Sequence, residues 1–598
     1  MTSIEIQENA NIAAHLEETT VRNWREYFSF NTDHKVIGIQ YLVTSFIFYL
    51  FGGVLATLIR SELATPETDL VSPEVYNGLF TLHGTIMIFM WIIPAATGGF
   101  GNFLIPLLIG AKDMAFPRLN AIAFWLLPPA GVLLIVSFFL DPPQAGWTSY
   151  PPLSLVMAKT GQAMWIYSLL LLGTSSIMAG LNFFVTILKM RTPGMGFHQM
   201  PLFCWAMLGT SGLTLLATPV LAAALILLAF DLLAGTTFYN PTGGGDPVVY
   251  QHMFWFYSHP AVYIMILPVQ GMISEILPVH ARKPIFGYLA VAYSSVAIAF
   301  LSMIVWAHHL FTSGTPGWVR MFFMITTMII AVPTGIKVFS WLATLWGGKI
   351  HFRSAMLFAM GLISLFVIGG ISGVMTAAVP FDIHVHDSYF IVAHIHYVLF
   401  GGSVFGLYAS IYHWFPKITG RMLDETWGKI HFVLTYIGFN LAFLPMHQLG
   451  IQGMRRRIAV YDPKFADLNL LCSIGAVLLA ISTLPFLINV CHSWLYGEKA
   501  PDNPWQSLTL EWMTTSPPPP HNFETIPVLA TGPYDYGVDG YKTNGDMPLS
   551  DANPMLFAGP NSVLRAEPDS SAMVQPDIFH NEGQNRDEEF STTPETPT

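Results

Sequence analysis

The stretch YFIVAHIHYVLFGGSVFGLYASIYHWF, residues 389–415, decides the fold. It holds no Asp, Glu, Lys or Arg, and as a helix it reaches about 40 Å, more than the roughly 30 Å of a bilayer's hydrocarbon. It does not alternate apolar and polar residues, so it is not a strand of a membrane barrel. Runs of the same kind recur at 37–60, 76–109, 120–140, 164–189, 202–232, 250–278, 285–310, 318–344, 354–379, 428–449 and 468–498. The expected fold is therefore all-α: a polytopic membrane protein with twelve transmembrane helices, some long enough to tilt.

Composition agrees. Of 598 residues, 53% are hydrophobic and 11% charged, less than half the charge of an ordinary soluble chain, which is about 25%. The three cysteines, Cys204, Cys472 and Cys491, each lie in an apolar run, which excludes a disulfide scaffold. A net charge of −11 without a basic block argues against nucleic acid. Residues 1–20 are polar and show no cleavable signal peptide. Three parts are expected: 1–36 as an N-terminal segment, 37–498 as the membrane core, and 499–598 as a Pro-rich, acidic, largely extended or disordered tail unless a partner holds it. Lys and Arg are richer in connections on the N-terminal side (Lys112, Arg118, Arg282, Lys283, Lys349 and Arg353 among them) than on the other (Arg60, Lys159, Arg320, Arg455 to Arg457, Lys464). Both termini are thus expected in the cytoplasm.

Six histidines fall inside these runs: His83, His259, His308, His309, His394 and His396. Counting from each run's outer end at 1.5 Å per residue places all six roughly 3–13 Å below the outer boundary. One such histidine is ordinary, satisfied by a carbonyl. Six at one depth need a common purpose, and metal or haem ligation is the natural one. His394 and His396, two residues apart, project to opposite sides of a helix and so serve two centres. His83 could complete one of them as a closed, bis-His iron. His259, His308 and His309 suit a three-His copper or zinc with an open position. Adjacent His308 and His309 differ by about 100° around a helix, so either the metal sits between them or the helix end loosens; loosening is expected, since Thr312, Ser313 and Gly314 follow at once. An open haem beside an open copper is a layout for binding and reducing a diatomic molecule. A histidine-rich transporter would explain the helices but not the shared depth, and a haem-bearing sensor would not need three further histidines. Lys337, deep on the inner side, is a functional residue by default because a buried ammonium is costly.

The motifs HPAVY, WAHHLFTSG, PTGIKVFSW, HVHDSYFIVAHIHY and GMRRR together resemble subunit I of the haem-copper oxidase superfamily, over residues 33–498. The resemblance implies roles. His83 and His396 would hold a low-spin haem, His394 a high-spin haem, and His259, His308 and His309 a copper, with the helices bundled around the haems. Tyr263 would be linked to His259 and supply an electron and a proton; its presence points to oxygen rather than nitric oxide. His386 and Asp387 match a magnesium site, Arg456 and Arg457 the residues that meet haem propionates, and Arg60 an Arg near a haem formyl group, so haem A is implied. Lys337, Thr334 and Ser274 match one proton pathway, leading to Tyr263. Asp113, Asn102 and Asn120 match the mouth of a second. Where many relatives carry Glu this chain has Ala261, preceded by Tyr257 and Ser258, a Tyr-Ser-His-Pro pattern found in a bacterial subgroup, with the Tyr hydroxyl in place of the carboxyl. Proton pumping is implied, with its gate altered.

No Cys pair is spaced for a dinuclear copper, so cytochrome c would deliver electrons through a subunit II carrying that site, with a subunit III beside it. A quinol donor is the alternative. Quinol oxidases of this type carry a His and a Gln where this chain has Val75 and Gly78, which favours cytochrome c. The pattern is most similar to cyanobacterial and related bacterial oxidases, implying an inner or thylakoid membrane.

Overall fold

The computed structural model describes residues 24–67, 70–529 and 533–534. Twelve apolar helical segments follow in sequence among the described residues: α1 (His34–Glu62), α2 (Pro73–Ile109), α3 (Pro117–Leu140), α4 (Lys159–Lys189), α5 (Leu202–Leu233), α6 (Pro247–Ala281), α7 (Tyr288–Ser302), α8 (Gly317–Leu345), α9 (Ser354–Ala377), α10 (Tyr389–Thr419), α11 (Glu425–Ile451) and α12 (Pro463–Tyr496). Eleven are long and apolar enough to cross a membrane, and α7 is a shorter apolar helix. Several starts are capped by side chains: Asp33 accepts from the Lys35 N–H, Ser72 from Val75, and Asp246 from Val248.

Burial sorts the bundle. The apolar window of α6 is 89% buried and that of α2 78%, against 28% for α1 and for α8. The first two are therefore the interior, and the last two face lipid with side chains such as Ile47, Val332 and Phe339. Lipid supplies no hydrophobic drive between helices, so close packing has to hold them together. Gly38 on α1 shows it: a Cβ there would lie 2.9 Å from the Gly99 carbonyl oxygen of α2.

Helices α2 and α10 are not uniform. Met87–Ile92 and Pro94–Gly101 in α2, and Leu399–Val404 in α10, are π-helical. Such widened turns recur at functional sites. Both begin shortly after a histidine singled out above.

One expected boundary is corrected, and the tail shows unexpected burial. The seventh run was expected to stay helical to 310 and to loosen after its histidines. Instead α7 ends at Ser302, and His308 and His309 sit on a separate 3₁₀ turn, Trp306–Leu310. The break therefore precedes the pair rather than following it. In the tail, residues 499–529 hold only a short 3₁₀ turn, Leu510–Trp512. Yet Trp505, Leu508, Trp512 and Asn522 are buried, Trp505 against His413 of α10 and Asn522 against the start of α1, a burial that the polar composition of 499–598 does not suggest. The rest of that tail, apart from Pro533 and Tyr534, lies outside the described residues, as do residues 1–23.

Candidate redox metal site

Three histidines converge. The ring nitrogens of His259 (α6), His308 and His309 offer ligand atoms all within 4.8 Å of one another, and among the described residues this is the only such group of three or more. His259 Nδ1 lies 3.2 Å from His309 Nε2. His308 bonds Thr327 Oγ1 of α8 through Nδ1 at 3.0 Å, which holds its ring, and His309 stacks on Trp255 at 3.5 Å between ring centres. The Nε2 of His259 is buried without a partner. Uncharged imidazoles facing one another, one with an orphaned nitrogen, are the donor set of a copper or zinc ion. Tyr263, one turn along α6, lies 4.8 Å from His259, ring centre to ring centre.

The other three histidines share a different device. His83 Nδ1 faces the Gly52 carbonyl at 2.9 Å, His396 Nδ1 the Val392 carbonyl at 2.7 Å, and His394 Nδ1 the Gly369 carbonyl at 3.0 Å, with Ser372 Oγ also at 3.0 Å. A carbonyl only accepts, so each Nδ1 carries the proton and each Nε2 keeps its lone pair for a metal. The rings of His83 and His396 are nearly parallel, 10° apart, with centres separated by 6.4 Å. That gap fits one metal between two facing imidazoles. His394 is held by α9 and His396 by its own helix, so the two rings are anchored separately.

Around this layer, polar groups lack protein partners. Arg60 binds the Asn469 carbonyl oxygen at 2.7 Å and Ser473 Oγ at 3.0 Å through one nitrogen, while its Nε and other terminal nitrogen are buried and unpaired. Arg456 pairs with Asp387, and its Nε is buried and unpaired. The Arg457 guanidinium lies over the Phe80 ring, and burial first, with Arg456 beside it, lowers it to about 10. These residues fit a cofactor bearing carboxylates and an acceptor oxygen. His386 bonds Asp382 at 2.8 Å. Burial alone would lower this imidazole, but Asp382 outweighs it and holds the group above its ordinary value. His386 and Asp387 are thus each tied to a different neighbour rather than to each other.

On the inner side, Lys337 Nζ donates to Gln270 Oε1 at 3.0 Å. Ser274 Oγ donates to the Gln270 carbonyl at 2.8 Å and accepts from Trp341 at 3.0 Å. Thr334 turns back onto the Ile330 carbonyl. Gln270 was missed in the sequence, although a Gln four residues before Ser274 in an apolar helix was a visible signal. Asn120 Nδ2 donates to Asn102 Oδ1 at 2.6 Å. The Asp113 carboxyl accepts from the Met114 N–H at 2.6 Å, and burial raises it to about 6. Above the Asn pair, Tyr41, Thr97, Ser175, Ser176 and Tyr257 line one cavity. Ser258 is buried with its hydroxyl unpaired, and Ala261 is buried beside the site.

Comparison with known proteins follows the same lines. The family model described as "Cytochrome C and Quinol oxidase polypeptide I" matches residues 36–478. A protein of Synechocystis sp. named cytochrome c oxidase subunit 1 is 68% identical over 518 residues, covering 87% of this chain and 94% of the relative. One of Thermostichus vulcanus with the same name is 64% identical, covering 88% and 95%. A solved haem-copper terminal oxidase dimer has the same fold, with a TM-score of 0.67 at 18% identity over 78% of this chain and 85% of that one.

Proposed function

Because the chain belongs to the cytochrome c and quinol oxidase polypeptide I family, whose members are integral membrane subunits holding haem and copper and working with other subunits such as subunit II, we propose how its own residues divide the work of a terminal oxidase. It is the catalytic subunit of such an oxidase, reducing oxygen to water, and not the quinol form. When bound, two haems of the A type and one copper supply the electron transfer and the oxygen chemistry. His83 and His396 hold the low-spin iron, His394 the high-spin iron, and His259, His308 and His309 the copper. Arg456 and Arg457 take the propionates, and Arg60 meets a formyl oxygen with its unpaired nitrogens. Magnesium binds at His386 and Asp387.

Cytochrome c donates electrons through the dinuclear copper of subunit II, and subunit III completes the complex. The membrane is a bacterial inner or thylakoid membrane, with both termini cytoplasmic. Protons rise by two routes. Lys337, relayed by Gln270, Ser274 and Thr334, serves Tyr263, which yields its hydroxyl proton to the reacting oxygen. Asp113, Asn102 and Asn120 feed the cavity at Tyr257, whose hydroxyl and Ser258 replace the carboxyl absent at Ala261 and relay pumped protons through water.

The observation that carries this reading is the grouping of histidines from α2, α6, α10 and the turn Trp306–Leu310: the 6.4 Å gap of His83 and His396, and the cluster of His259, His308 and His309. The test is His259→Ala in the purified complex. Copper and oxygen consumption are expected to vanish while the low-spin haem spectrum stays. Retained oxygen reduction contradicts the assignment.

A further inference from the structure

Asn522 lies far from the metals and has no place in the ligand set, yet it is fully buried. Its Oδ1 accepts from Lys35 Nζ at 2.8 Å and lies 3.0 Å from His34 Nε2. Its Nδ2 donates to the Ala111 carbonyl at 2.8 Å and the Lys112 carbonyl at 3.2 Å. The amide thus touches the start of α1 with one end and the Asp113 loop with the other. The backbone is left-handed there, with φ of 71°, a conformation that Asn tolerates better than most residues.

Its partners are the two walls of one carboxyl. Ala111 and Lys112 immediately precede Asp113 on the loop after α2. His34 and Lys35 open α1, and the His34 backbone N–H acts on the Asp113 carboxyl. His34 also reaches the next station inward: its Nδ1 donates to the Asn102 carbonyl at 2.7 Å. The segment carrying Asn522 is itself anchored. Lys35 Nζ also donates to the Pro520 carbonyl at 2.9 Å, and Lys417 Nζ to the Thr514 carbonyl at 2.6 Å.

We infer that the C-terminal segment around residues 514–523 is a working part of the Asp113 proton route, with Asn522 as the positioning residue that fixes the Asp113 loop against the start of α1. This rests on the reading of Asp113 as the mouth of a pathway. Hydrogen-bonded proton relays tolerate little misplacement; a 1 Å error can cost up to about 100-fold. A polar tail thus sets the geometry of uptake.

The test uses the whole complex in sealed vesicles, with turnover per haem and protons released per electron measured together. Asn522→Ala removes the bonds to Lys35, Ala111 and Lys112 and the contact with His34. Asn522→Asp keeps shape and the contacts to His34 and Lys35 but sets carboxylate oxygen against the two carbonyls. Both variants are expected to retain haem and copper, lose about tenfold in turnover, and release fewer protons per electron. That ratio belongs to each turning molecule, so a misassembled fraction does not lower it. Asp113→Asn is the comparator. If Asp113→Asn leaves turnover and ratio normal, the pathway reading itself fails. If Asp113→Asn is defective while both Asn522 variants keep the normal ratio, or lose only assembled haem, the role given to the tail is overturned.

Discussion

The outer and inner halves of the bundle present their polar groups in opposite ways. In the outer half, six histidines come from runs that are otherwise apolar, and most are held by backbone carbonyls or close aromatic rings. In the inner half, Lys337, Asp113 and Asn102 are held by other side chains or by distant segments, and Asn522 reaches its partners across 411 and 488 residues of sequence. Ligand positions need rigid support, since an imidazole that swings loses its metal. Proton positions need hydrogen-bonded continuity held in place, and a segment distant in sequence can supply that hold. The difference teaches that the histidines are braced by backbone carbonyls and rings of adjoining helices, while the groups around Asp113 are held by a segment distant in sequence.

The sharpest way to break the comparison is Lys337→Met. It removes the one ammonium donating to Gln270, so turnover is expected to fall by about 10²-fold or more while both haem spectra stay unchanged. Normal steady-state turnover, measured by oxygen uptake, removes Lys337 from the pathway. Tyr263→Phe is next. Without the hydroxyl, oxygen reduction is expected to drop by a similar factor of about 10² with copper retained, because Tyr263 does not hold the ion. Copper loss in that variant would make Tyr263 a support for His259 instead.

Gly373→Ala probes the outer half more gently. A Cβ at Gly373 would lie 3.0 Å from His394 Cε1, tighter than ordinary contact. The His394 ring must shift, and the expected effect is a displaced carbon monoxide spectrum with turnover lowered about tenfold or less. An unaltered spectrum would show that His394 has slack, which the account denies.

The smallest effect concerns Asp113. Its carboxyl is raised from 3.8 to about 6 because burial disfavours the charge. Between those values the folded protein keeps a proton that the unfolded chain releases. Asp113 therefore lowers stability as pH rises through that window and offers no gain above it. Thermal unfolding from pH 4 to 7 checks the sign: Asp113→Asn is expected to flatten part of the decline. An unchanged slope would mean that the Asp113 carboxyl titrates normally.

Legibility followed the same divide. The membrane fold and the meeting of His259, His308 and His309 were readable because charge-free runs and buried imidazoles have few explanations. The opposed projection of His394 and His396 came from helical spacing alone, whereas roles such as those of Arg456 and Arg60 rested on family resemblance. What the sequence hid was set by tertiary contact. The carbonyls of Gly52 and Gly369 that orient His83 and His394 carry no side-chain signal. The early end of α7 at Ser302 was masked by continued apolar residues, since Met303 and Ile304 read as helix. Asn522 sat in a Pro-rich stretch whose composition gave no reason to expect burial, because its partners lie on α1 and after α2.

The central claim is that His394 and His396 serve two different irons, one closed by His83 and one open. The most direct test is a reduced-minus-oxidised spectrum of the purified complex, repeated with carbon monoxide. The account predicts two haem signals, only one of which shifts with carbon monoxide. A single haem, or two that shift alike, would contradict it.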